Sequence, residues 1–219
     1  FLGAGEYWRK QYPAYAQALA GGGVALLYLS IFAAYAIFEL IGLYPGAGLL
    51  LLISAASAGL AIRHESVSLA IMGIAGAFVA PFILSEFTQT PGDVARAGRS
   101  IQLPTYIIVV DLGVLALSTL RGWRWFTLLG LLGSLAAYGS WYDAYRETVS
   151  LLASEVTLTV IFLIFVGATT LFHLVWRRAP LYYDHSLMAF NAAAYFGISV
   201  GILWDDFRLW MGGFTLLMA

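Results

Sequence analysis

The sequence predicts an all-α fold, a polytopic bundle of transmembrane helices with about seven complete spans and the start of an eighth. Three observations lead there. Apolar residues fall in runs of about 18 to 25 with almost no charge, long enough to cross a hydrocarbon layer of roughly 30 Å at about 1.5 Å per residue. The composition is 61% hydrophobic and 11% charged, against roughly 45–50% and about 25% in soluble domains. Segments such as Leu49 to Ile62 are apolar on both faces, so they lack the alternation of a transmembrane barrel strand.

The first span is expected over Gln17 to Phe38, with Tyr7, Trp8, Tyr12 and Tyr15 as interfacial anchors before it. Its Gly21-Gly22-Gly23 run suits close helix packing; a phosphate cradle would need a preceding strand and a following lysine. The second span, Pro45 to Ile62, places Ala55 and Gly59 on one face. The third, Val67 to Phe87, does the same with Gly73 and Ala77 and with Gly76 and Ala80, because helices in lipid approach closely through small residues. Pro81 is expected to kink it by removing a backbone donor. Thr88 to Gln102, carrying Pro91-Gly92-Asp93, reads as the one real loop.

The fourth span is Leu103 to Leu120 and the fifth Trp125 to Tyr142, joined by a tryptophan-rich basic turn. The sixth, Leu151 to Trp176, is longer than a bilayer requires. The seventh, Leu187 to Trp204, carries Gly197 and Gly201 at four-residue spacing, and Leu209 onward would begin an eighth. Residues 1–219 therefore read as a single transmembrane domain. Because the chain stops inside an apolar stretch too short to span, a longer parent chain is expected.

Basic residues in short loops stay in the cytoplasm. Arg9, Lys10, Arg63, Arg121, Arg124, Arg177 and Arg178 fall on the side of the N-terminus, and only Arg96, Arg99, Arg146 and Arg208 on the other. A cytoplasmic N-terminus is the expectation. The net charge of −1 argues against nucleic acid, which needs a concentrated basic surface. With no cysteine there is no thiol nucleophile or disulfide.

His64, His173 and His185 are scattered rather than paired on one helix, so no metal site is expected. Nor does any Gly-x-Ser-x-Gly elbow occur. The reading is of a protein that is not an enzyme and carries no cofactor.

Three polar residues inside the spans could carry chemistry. Asp111 lies near the middle of the fourth span, where a charged carboxylate costs about 2.5–3.5 kcal/mol on insertion scales. It must be paired, protonated or facing water: either a proton or cation site, or an acid hydrogen-bonded to a neighbouring Ser, Thr or carbonyl, with Ser118 two turns along the same face. Glu155 enters the sixth span near its outer end, and Asn191 sits one turn inside the seventh. Outer, middle and inner depths for Glu155, Asp111 and Asn191 argue against an acid–base dyad and suggest a polar staircase. His64 with Glu65, and Asp184 with His185, read as solvated turn residues.

Three stretches resemble a known family: Ala16 to Ser30 with its triple glycine, followed by Phe32-Ala33-Ala34-Tyr35; Ser68 to Leu84 with Gly73, Gly76 and Ala80-Pro81-Phe82; and Arg121-Gly122-Trp123-Arg124-Trp125 following a span with a central Asp111. The chain is similar there to the large bacterial membrane proteins catalogued as domain of unknown function 2339. The likeness covers most of residues 1 to 140 and fades afterwards. It implies a many-spanning protein of the bacterial inner membrane and longer relatives, but no reaction, substrate or cofactor.

The function expected from the residues is a non-catalytic accessory or scaffold subunit, held in the lipid bilayer and packed through small-residue faces against other membrane protein subunits. The alternative is a transporter or flippase-like protein with an intramembrane acidic site at Asp111.

Overall fold

The computed structural model describes residues 11–86, 93–121, 124–177 and 182–207, together with Gly3 and Tyr7. Among them are seven α-helices and no strand: α1 (Pro13–Phe32), α2 (Leu43–His64), α3 (Val67–Glu86), α4 (Asp93–Arg121), α5 (Arg124–Tyr145), α6 (Leu151–Trp176) and α7 (Tyr182–Phe207). The expected eighth span lies outside the described residues. Five helical stretches are long and apolar enough to cross a membrane: Ala14–Ile37, Pro45–His64, Ser100–Leu120, Leu151–Val175 and Tyr182–Trp204. The protein is an all-α membrane bundle.

Local chemistry sets the helix ends. Pro13 occupies the first turn of α1, where a missing N–H removes nothing. That helix runs into a π-helical turn, Ala33–Ile37, whose wider coil brings the Phe38 N–H to the Ala33 carbonyl at 2.9 Å. Glu65 closes α2 and Arg177 closes α6 in the left-handed conformation. Ser150 caps α6 by accepting from the Ala153 N–H at 3.3 Å.

Two sequence-based expectations change here. The loop expected over Thr88 to Gln102 is helical from Asp93 onward. Asp93-Val-Ala-Arg-Ala contains good helix formers with an acidic residue in the first turn, and these outweigh the breaker signal of Pro91-Gly92. The 29 residues of α4 rise about 43 Å, well beyond the hydrocarbon thickness. Likewise α7 starts at Tyr182 rather than Leu187, which makes Asp184 and His185 helical rather than turn residues.

The central helix is α4, which packs against α2, α3, α5 and α6. The hairpins α2–α3, α4–α5 and α6–α7 each pack closely, and α1 lies on α2 and α3. The core runs between these elements through Leu69, Ile107, Val114, Phe126, Leu131, Tyr138, Leu158, Ile161 and Phe165. Large apolar side chains cover the outside as well: Leu29, Leu52, Leu120, Leu163 and Leu174 are all exposed. A bundle apolar both inside and out is at equilibrium in lipid rather than in water.

Candidate functional site: buried polar seams between helices

Asp111 is 0% exposed, at the centre of α4. Its partner comes from the next helix. The hydroxyl of Ser134 on α5 makes a short hydrogen bond with Asp111 Oδ1 and also lies 2.8 Å from the Gly130 carbonyl oxygen. The second carboxyl oxygen, Oδ2, is buried without a hydrogen-bond partner. Ser118, on the same face of α4, instead donates to its own helix at Leu115 O, 2.9 Å away.

Glycines on α5 bring the neighbours in around this pair. A Cβ on Gly130 would stand 2.7 Å from Val114 Cγ1 of α4, and one on Gly133 would stand 2.6 Å from Phe78 Cδ2 of α3. Helices α3, α4 and α5 are therefore in van der Waals contact at the level of Asp111. The sequence signal for this was present: Gly130, Ser134, Gly133 and Ala137 repeat at small-residue spacing, and positions 111 and 134 are equidistant from the 122–123 turn. An antiparallel hairpin with so short a turn must bring them level.

Glu155 and Asn191 belong to a different seam, between α6 and α7. Ser199 Oγ donates to Glu155 Oε2 at 3.0 Å, while Glu155 Oε1 is buried without a hydrogen-bond partner. One turn deeper, Thr159 Oγ1 and Tyr195 Oη are 3.1 Å apart. The Asn191 amide then donates to the Phe162 carbonyl at 3.1 Å, beneath the stacked Phe162 and Tyr195 rings. At the last level His173 Nε2 pairs with Asp184 Oδ2 at 3.0 Å. The solvated-turn reading of Asp184 is thus overturned: it is buried and paired. From residue 155 to 173 these four contacts rise about 27 Å, close to the hydrocarbon thickness. The expected staircase exists along α6–α7, and Asp111 is not part of it.

Further side chains donate across other helix pairs to backbone carbonyls. Tyr28 reaches Gly73 O at 3.2 Å and Ser54 Oγ at 2.6 Å. Ser57 reaches Leu69 O at 3.0 Å, and Tyr138 reaches Ser154 O at 3.1 Å. In lipid such bonds hold helices together, at an average near 0.6 kcal/mol each.

The small residues singled out in the sequence divide into two groups. Gly21 faces Met72, Gly73 faces Ser57 and Gly76 faces the Tyr28 ring, each close enough that a Cβ would collide; Gly23 is buried. Within this chain Gly22, Gly59, Gly197 and Gly201 have open space where a Cβ would stand, and Ala55 is exposed. The close approach expected of that second group is not made inside the bundle, because their faces point outward. Ala55 lines an apolar groove of about 340 Å³ with Ala58, Val109 and Gly113, open between α2 and α4. Pro81 lies within α3, which continues to Glu86; its own side chain is outside those described.

No group of three or more His, Cys, Asp or Glu side chains able to hold a metal ion occurs among the described residues. One family model, described as Predicted membrane protein (DUF2339), matches residues 1–218. The match runs well past residue 140, where the recognisable motifs thin out. No curated protein sequence and no solved structure matches the chain.

Proposed function

The chain belongs to the DUF2339 family of predicted membrane proteins, and we propose that it serves as a membrane-embedded accessory or scaffold subunit. The observation that supports this is the outward placement of small residues. Gly197 and Gly201 form an exposed four-residue-spaced pair on α7, and Ala55 and Gly59 form another on α2. Lipid chains gain nothing particular from a glycine face, whereas a second helix can come close to it. Under this reading the partners are other membrane protein subunits, the membrane is the bacterial inner membrane, and the arginine-rich ends of the helices face the cytoplasm.

Mild detergent extraction followed by native electrophoresis tests the reading. A defined complex is expected, and Gly197→Leu with Gly201→Leu is expected to disperse it while the chain itself stays folded. A chain migrating alone in every mild detergent would sink it.

A second reading, a transporter or flippase-like protein, has Asp111 in its favour, since a fully buried carboxyl with an unpaired oxygen is a common element of ion-coupled sites. Asp111→Asn would abolish coupled uptake in liposomes under that reading. Unchanged uptake would remove the reason for it.

A further inference from the structure

We infer that Asp111 is a proton-binding site, in which the carboxyl carries a hydrogen on Oδ1 and donates it to Ser134 Oγ, while Ser134 donates its own hydrogen to the Gly130 carbonyl. Hydrogen counting leads to this arrangement. Ser134 Oγ lies within hydrogen-bond distance of both Asp111 Oδ1 and Gly130 O, yet a serine hydroxyl has one hydrogen and two lone pairs. It cannot donate to both. A neutral Asp111 supplies the missing hydrogen, and the chain Asp111 to Ser134 to Gly130 is then satisfied at each step.

The charged alternative is poorly served. It would leave a carboxylate that is 0% exposed with a single hydroxyl donor and a second oxygen without a hydrogen-bond partner. No countercharge stands at its depth either: the sequence holds no Lys, Arg or His between Lys10 and Arg63, His64 and Arg96, Arg99 and Arg121, Arg124 and Arg146, or Arg146 and His173. Those intervals contain the interior of every helix packed against α4. Buried charges persist when paired, and otherwise the group takes up a proton.

A metal cation fits the donor set less well than a proton. Calcium and magnesium take six or more oxygen ligands, whereas the hydrogen-bonding partner of this carboxyl is one serine hydroxyl. The same glycines that admit Val114 and Phe78 close the site against water. The assignment rests on neither reading of the preceding subsection, because it requires no partner and no turnover.

Infrared spectroscopy of the purified chain in lipid bilayers at neutral pH provides the test. The expected result is a carbonyl stretch of a protonated carboxylic acid that shifts on deuteration, is lost in Asp111→Asn and is retained in Glu155→Gln. Ser134→Ala should move that band to higher frequency by removing its acceptor. A spectrum in which Asp111→Asn removes only a carboxylate band would overturn the assignment, and so would an acid band that Ser134→Ala leaves unmoved. If Asp111→Asn does not fold, the Ser134→Ala band position decides alone.

Discussion

The indole Nε1 of Trp141 donates at 3.0 Å to the carbonyl of Ser100, the acceptor that Pro104, four residues on in α4, has no N–H to use. The same arrangement recurs one helix earlier. Tyr106 donates at 3.0 Å to the Ala77 carbonyl, and the residue four positions beyond Ala77 is Pro81. A proline inside a helix frees one carbonyl, and in lipid a neighbouring helix must answer it. Each proline is thus answered by an aromatic donor on the next helix, which ties α3 to α4 and α4 to α5.

Replacing Trp141 by Phe should destabilise the bundle by about 1–3 kcal/mol, since Ser100 O is left without that donor. In a Pro104→Ala background the restored N–H can reach Ser100 O. The loss there should shrink by about 1 kcal/mol, a coupling within the usual range for contacting residues. Thermal unfolding of the four proteins in one detergent gives the cycle, and additive losses would show that the indole acts through packing alone.

Tyr106→Phe and Tyr138→Phe both remove one hydroxyl that donates to a backbone carbonyl. Their effects should differ. Ala77 O is orphaned by Pro81, whereas Ser154 O retains the N–H of Leu158 within α6. Tyr106→Phe should therefore approach the roughly 1.7 kcal/mol upper end for interhelical bonds, and Tyr138→Phe the average near 0.6 kcal/mol. The reverse order, measured by the same melts, would count against the proline account.

Gly133→Ala places a methyl group 2.6 Å from the Phe78 ring, and an overpacked core loses about 1–3 kcal/mol. Gly201→Ala meets open space and should leave the stability of the isolated chain unchanged within about 0.5 kcal/mol. Any loss at Gly201 should emerge in the assembled complex only, which native electrophoresis of both variants can resolve.

Helix content and span positions were legible because the apolar runs match bilayer thickness, a property of single segments. Asp111 was legible as an unusual residue for the same reason. Its partner was harder, because Ser118 on the same helix offered a local candidate, while Ser134 requires the register of two helices. The division of Glu155 and Asn191 from Asp111 depends on which helices pair, and depth alone does not encode it. Most of the glycine pattern was visible, yet spacing says nothing about whether a smooth face turns inward, as at Gly73, or outward, as at Gly197. The start of α4 was missed because Pro91-Gly92 marks a break whose length the sequence does not specify.

The four contacts between α6 and α7 share one register, so sliding either rod by a single turn, about 5.4 Å, would undo Ser199, Tyr195, Asn191 and Asp184 at the same moment. Piston-like travel within this hairpin is thereby forbidden at small amplitude. Whatever rearrangement the protein undergoes, these two rods must swing together as a single oar.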